Sequence, residues 1–493
     1  MPVLDEKWSA TRLLRAVSIV LLVHGCAISQ EPTRETDAVV EHIVGAAMTR
    51  GGAIAFLETL TDTIGGRVTG SPQSQAASEL ILKTLKEAGF DDAHIEDYPL
   101  TSRWQRGPAS GAVVSPVKQP ILIGSYGWSP GTNGRVEAPL VAASVAADGK
   151  LSGDVGKFRG AAVLVDLTSG SDLSFAPNYV VRRSAVARQL VAASAAAMLI
   201  QSEKPDRMLY TSAAGIYPRA PLPLLSIAKE DAFFVRRLLK KGAVKVELNV
   251  QNSFDLPPVK ERNVIADLPG TSPDQVVLLG AHFDSWDPAQ GAKDNGAGVA
   301  EVLEIARILK SLGVKPKATI RFAFFSGEEQ ACLGSRAYVE SHKDQLDRHR
   351  AVLITDDGAQ RPLGFLLHGR TDLEMPTKRV LSDLAALGAV AISSTGDLSS
   401  DDQSFVVVGV PTLSLSVEPG DYDNQHHTIT DTLDKVDPQM LAMDTAVLAV
   451  ATYSIANADQ GLGRRLTSAE VDDLLKKTGQ AEYVELDYGR REK

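Results

Sequence analysis

Cysteine is nearly missing from this chain: 493 residues contain two, Cys26 and Cys332. One lies in an apolar N-terminal segment, so no disulfide framework can be built, and stability must come from buried area that a chain of this length can supply. Positive charge is also short. The formal net charge is −10 and no Lys/Arg-rich block offsets it, which argues against nucleic acid as the main partner. Long hydrophobic runs are scarce, and the one membrane-directed stretch is N-terminal. Hydrophobic content (44%) and charged content (23%) are otherwise those of an ordinary soluble globular protein. The length sets a prior of two or three domains.

Arg12 and Arg15 precede a short apolar run, residues 16–23. A charged stretch followed by a run too short to span a bilayer is the pattern of a signal peptide, here residues 1–29. The expected location is therefore outside the cytoplasm, secreted or periplasmic. Leu22-Val23-His24-Gly25-Cys26 is loosely like a lipoprotein processing site, which would place a lipid anchor on Cys26; cleavage after Ala27-Ile28-Ser29 is the alternative.

After the leader, residues 36–48, 53–63 and 75–88 show helical spacing, interrupted by Gly65-Gly66-Arg67-Val68-Thr69-Gly70-Ser71, and residues 93–98 read as a strand. Around 105–125 the texture turns rich in Gly, Pro and Ser. Short strand-like pieces follow at 120–123, 140–143, 161–166, 197–200 and 221–226, with helices at 181–197 and 229–240. Residues 120–257 thus read as an inserted β-rich domain without paired catalytic groups. It divides a catalytic domain into 30–119 and 258–460, with a polar tail at 461–493. Thr467 and Glu470 could cap a short helix in that tail.

From Glu261 onward strands and helices alternate. Strands are expected at 264–267, 275–280, 318–325, 352–355, 390–394 and 411–415, and helices at 298–312, 377–387 and 440–456. The expected fold class is α/β: a mostly parallel mixed sheet covered by helices on both faces.

Chemistry-bearing residues sit where those strands end, the edge at which open α/β sheets place ligands. His282 and Asp284 leave one strand, and a glycine-bearing loop delivers Asp294. Glu328-Glu329 follow the next strand, Asp356-Asp357-Gly358 another, and His426-His427 with Asp431-Thr432 come near the C-terminus. Singly, each is most simply a turn or helix-start residue. Their order on an α/β rhythm is what carries information.

That ordered set, His282-x-Asp284, Asp294-Asn295-Gly296, Glu328-Glu329, Asp356 and His427-Thr-x-x-Asp431-Thr432, resembles the zinc-dependent co-catalytic exopeptidases, which include bacterial leucyl aminopeptidases and glutamate carboxypeptidases. Gly66–Ser71 and Arg103-Trp104-Gln105-Arg106-Gly107 look like the plasma glutamate carboxypeptidase subgroup. The insert resembles a protease-associated domain. Cys332, where smaller residues are more usual, is a departure and reads as a buried packing residue.

The resemblance implies two zinc ions per chain. His282, Asp294 and Asp356 would hold one, and Asp294, Glu329 and His427 the other, with Asp294 bridging. Asp357 and His426 are the alternatives to Asp356 and His427. Asp284 would orient a ligand imidazole, and Glu328 would activate the attacking water. The peptide after Asp294 would be cis. Asp401 resembles part of a substrate-side loop, or else caps the helix that follows, and Tyr422 is a candidate oxyanion donor. The implied activity is hydrolysis of dipeptides or short peptides at a free terminus, by a homodimer. The rivals are a catalytically inactive receptor or scaffold on the same fold, and glutaminyl-cyclase-like acyl transfer.

Overall fold

Strand Ala318–Phe325 shows how the first sheet is covered. Successive side chains on a strand point to opposite faces. Phe322 and Phe324 enter one apolar cluster with Leu279, Leu353 and helix residues Val299, Val302 and Val447. Ala323 and Phe325 enter a second with Leu278, Val352, Tyr338 and Phe405. A strand buried on both sides needs helices on both sides, and that is the observed architecture. The computed structural model describes residues 34–488, apart from 147–148, 153, 168–175, 215–218, 256–258 and 397; the signal peptide expected at 1–29 and the lipid anchor at Cys26 lie outside the described residues.

The first sheet has eight strands, in the order His94–Leu100, Val259–Leu268, Ala318–Phe325, Ser272–His282, His349–Ile354, Thr412–Val417, Pro362–Leu366 and Ala391–Ser393. Ser272–His282 runs parallel to both Ala318–Phe325 and His349–Ile354, and the latter runs parallel to Thr412–Val417. These four central strands therefore end on one edge. Register fixes the ends closely: His282 lies opposite Phe325, and Gly280 opposite Ile354. Antiparallel neighbours close the sheet on either side.

Helices Arg34–Arg50, Pro72–Glu87, Ala297–Ser311 and Pro438–Asn457 cover one face; the other is covered by shorter helices, Leu333–Ser341 and Asp402–Val406. Pro438–Asn457 is long and apolar enough to cross a bilayer, but 78% of its apolar window is buried within the molecule. It is the central core helix.

A second sheet of nine strands occupies Ala109–Val250. It begins ahead of residue 120, where the change in texture set the boundary, because Ala109–Ser115 pairs antiparallel with Val244–Val250. The alternation along Val244–Val250 is plain, but the small residues of its partner hide it. A two-stranded ribbon, Arg103–Gln105 with Ser253–Asp255, forms the neck between the two sheets.

One other expectation changes, and one alternative is decided. The helix expected at 377–387 is two pieces, Glu374–Val380 and a 3-10 turn, Ser382–Leu387, stopped by Gly388 at φ 75°. The tail holds the short helix its capping residues suggested: Ser468–Lys477 has the capping box of Thr467 and Glu470, and Val471 and Leu475 bury against Leu398, Val406 and Val484.

Candidate metal centre

The residues singled out at strand ends converge on Asp294. This carboxylate is carried by the turn Ala292–Gly296, just before helix Ala297–Ser311. The Asp294–Asn295 peptide is cis. The turn is fastened from several directions. Asp431 accepts from the N–H groups of Lys293 (2.7 Å) and Asp294 (3.2 Å). Asn295 donates to the Thr355 carbonyl at 2.8 Å. The buried guanidinium of Arg67 donates to the carbonyls of Gly65, Phe283, Gln290 and Gly291, and burial lowers its pKa to about 10.

The two oxygens of Asp294 face different partners. Oδ1 lies 3.5 Å from His282 Nε2. That nitrogen is 3.4 Å from Asp356 Oδ1 and 3.9 Å from Glu328 Oε2. Oδ2 lies 3.1 Å from His427 Nε2, which is 3.1 Å from Glu329 Oε2. His426 approaches the same Oδ2 at 3.6 Å and stacks on His427 with ring centroids 3.8 Å apart. Asp357 points elsewhere, toward Glu301 and Asp444.

Asp284 sits behind His282. Nδ1 of that imidazole is 3.1 Å from the Asp284 carbonyl and 3.5 Å from its carboxylate, so the main-chain oxygen is the nearer partner. The Asp284 carboxylate accepts from Thr69 Oγ1 (2.7 Å) and from the Glu328 N–H (3.2 Å). One carboxylate thus ties the His282 strand to the loop bearing both glutamates.

The electrostatics are those of a crowded anionic site. Burial raises the carboxyl of Glu328 well above its usual range, and burial with the Asp294 charge brings Glu329 to about 7. Burial alone would lower the His282 imidazole, but the charges of Asp356 and Glu328 outweigh it and raise it. For Asp294 burial is opposed by hydrogen bonds from His282 and His427, and the carboxyl ends well below its usual range. Three buried atoms pointing into this space, His282 Nε2, Asp356 Oδ1 and Glu329 Oε1, have no hydrogen-bond partner. Buried polar atoms without partners are costly, and imidazole nitrogens with carboxylate oxygens are the donors zinc takes at about 2.0–2.2 Å. The residues present fit a metal.

Some contacts could not be read from sequence. Tyr210, from the second sheet's side of the neck, places its hydroxyl 3.2 Å from His427 Nδ1. The Thr211 N–H donates to the His427 carbonyl at 2.9 Å. Trp286 stands edge-on to His427 at 6.1 Å and packs so closely on Gly127 that a Cβ there would lie 2.1 Å from its ring. Cys332 is buried, as expected, but its Sγ also lies 3.7 Å from Glu328 Oε1. Asp401 makes no side-chain cap to the helix it precedes; it is fully buried, and burial brings its carboxyl to about 7. Tyr422 lies against Gly358 and, at 5.2 Å, against His426.

A mixed sheet whose parallel central strands gather imidazoles and carboxylates around one shared aspartate at their carboxyl edge has the donor set of a metallohydrolase. Peptidase family M28 matches residues 263–452, the span holding His282, Asp294, Glu328, Glu329, Asp356 and His427. The chain is 30% identical to bovine (Bos taurus) carboxypeptidase Q over 417 residues, covering 83% of this chain and 86% of that one. It is 28% identical to a probable lipoprotein aminopeptidase of Mycobacterium tuberculosis, over 91% of this chain and 93% of the relative. The crystal structure of a peptidase M28 precursor from Shewanella amazonensis superposes with a TM-score of 0.78 at 28% identity, covering 88% of this chain and 99% of that one. The chain belongs to peptidase family M28 and is a zinc-dependent metallo-exopeptidase.

Proposed function

We propose that the chain is a di-zinc exopeptidase cleaving dipeptides or short peptides at a free terminus. The observation that carries this reading is the division of Asp294, one oxygen toward His282 and Asp356 and the other toward His427 and Glu329. His282, Asp294 and Asp356 hold one ion, and Asp294, Glu329 and His427 the other. When bound, the pair supplies a water of lowered pKa and polarisation of the scissile carbonyl. Glu328, 3.9 Å from His282 and outside the two ligand sets, takes the proton of the attacking water and passes it to the leaving nitrogen as the C–N bond breaks. Asp284 holds His282 and the Glu328 backbone in place. Asp401 and Tyr422 stand on the substrate side.

The second sheet is a protease-associated-like insert that walls the substrate cleft, supported by the Tyr210 and Thr211 contacts on His427. Residues 1–29 direct export, with a lipid anchor at Cys26 as one form of the mature end, and the working species is a homodimer. Sedimentation velocity and N-terminal mass spectrometry check these last points.

Stepwise zinc titration of the metal-stripped enzyme, paired with a dipeptide panel and its N-blocked and C-amidated forms, tests the central reading. Two binding steps, and cleavage lost on blocking one terminus only, are expected. Saturation at a single equivalent would remove the bridging role of Asp294. Pyroglutamate release from a glutaminyl peptide without hydrolysis would overturn the peptidase reading.

A further inference from the structure

A second group of acidic side chains stands apart from these ligands. Glu301 comes from helix Ala297–Ser311, Asp444 from helix Pro438–Asn457, and Asp357 from the loop after strand His349–Ile354. One carboxylate oxygen from each lies within 4.8 Å of the others. Glu301 and Asp444 have no solvent exposure. The Thr355 hydroxyl reaches Glu301 Oε2 (2.8 Å) and Asp357 Oδ2 (3.2 Å). Glu301 Oε1, Asp357 Oδ1 and both oxygens of Asp444 have no partner at all. Among the described residues no Lys, Arg or His pairs with any of the three.

Asp444 makes the case independently of the grouping. It sits on the core helix among buried Leu441, Val447 and Leu448. A fully buried carboxylate with neither oxygen satisfied is strongly unfavourable unless a positive charge meets it, and this one is aimed at two more carboxylates.

We propose that Glu301, Asp357 and Asp444 hold a third cation, a hard divalent ion with calcium as the expected occupant. The donors are all oxygen, without imidazole or thiolate, which selects hard ions over zinc. Oxygens all within 4.8 Å of one another can share one ion with a calcium shell of about 2.3–2.6 Å, in which opposite ligands stand roughly twice that far apart. Magnesium, with its tighter octahedron and retained waters, suits a closed three-carboxylate pocket less well. The ion is structural. It joins the core helix to the helix that follows Asp294 and to the loop in which Asp357 succeeds Asp356.

Equilibrium dialysis of the zinc-loaded full chain against calcium, with magnesium and manganese as parallel probes, tests this. Wild type should take up one equivalent of calcium beyond zinc, and its melting temperature should rise saturably with calcium. Asp444→Asn and Glu301→Gln should weaken that uptake at least tenfold while zinc content stays at the wild-type level. The proposal is overturned if wild type takes up none of the three ions, or if both variants bind calcium as wild type does. It is also overturned if Asp444→Asn melts as high as calcium-saturated wild type, the result for carboxyls held by shared protons. Dialysis of wild type decides alone should a variant fold poorly.

Discussion

Glu328 and Glu329 are adjacent in the chain yet face different partners, Glu328 toward His282 and Glu329 toward His427. Glu328→Gln keeps the size and removes the carboxylate proposed as the base. The expected result is a kcat lower by about 100- to 10,000-fold with zinc content unchanged, whereas Glu329→Gln should lose zinc at one site. Metal analysis beside kcat separates them, and the opposite pattern would exchange the two assignments. Tyr210 offers a second test. It touches the His427 imidazole, a proposed ligand, through the nitrogen facing away from Asp294 and Glu329, the place of an outer partner that would fix ring orientation. Such partners are worth about 10- to 100-fold in metal affinity. Tyr210→Phe should weaken zinc by that range in competition with a chelator, and an unchanged affinity would make the hydroxyl incidental. His282 and the glutamates were legible because they leave recognisable strands, and Asp294 because its glycine-bearing loop opens a strongly periodic helix. Tyr210 and Thr69 were not, since they reach the site from elements more than 200 residues away in sequence.

At the level of elements, legibility followed burial pattern. Ala318–Phe325, almost wholly apolar, has the expected bounds. Ala109–Ser115 carries too little apolar contrast to announce itself, and its pairing with Val244–Val250 and Gln119–Ile121 makes it a strand. The start of strand His349–Ile354 supplies a pH prediction. His349 is buried with Nε2 3.1 Å from the Tyr338 hydroxyl, and burial, with Arg321 nearby, lowers its pKa to about 4. The fold thus favours the neutral ring. Its contribution is complete above the unfolded value of about 6.5 and is lost as pH falls through that value toward about 4. His349→Gln cannot titrate. Between pH 7 and 4.5, wild type should lose more stability than the variant, by up to about 3 kcal/mol, read from urea midpoints at the two pH values. Equal losses would show that the ring is not held neutral.

For the whole molecule, the question is what the second sheet does for the first. Several of the contacts between them fall at or beside the candidate metal centre: Tyr210 and Thr211 on His427, Trp286 against Gly127, and Lys204 Nζ on the Asp423 carbonyl. Helix Ala481–Tyr488 also meets helix Ala176–Ala192. Gly127→Val would drive a side chain into the Trp286 ring. It should lower kcat/KM at least tenfold while the near-UV signature of a packed core persists, and unchanged turnover would detach this junction from function.

The Tyr210–His427 contact also bears on ancestry. An insert that only roofed a cleft could be traded between relatives as a cassette, cut and rejoined at the ribbon Arg103–Gln105 with Ser253–Asp255. Here the borrowed piece would have to bring its own hydroxyl to a histidine encoded more than 200 residues downstream. The two segments are therefore expected to be inherited together, and chimeras joined at the neck should work only when that tyrosine travels with them.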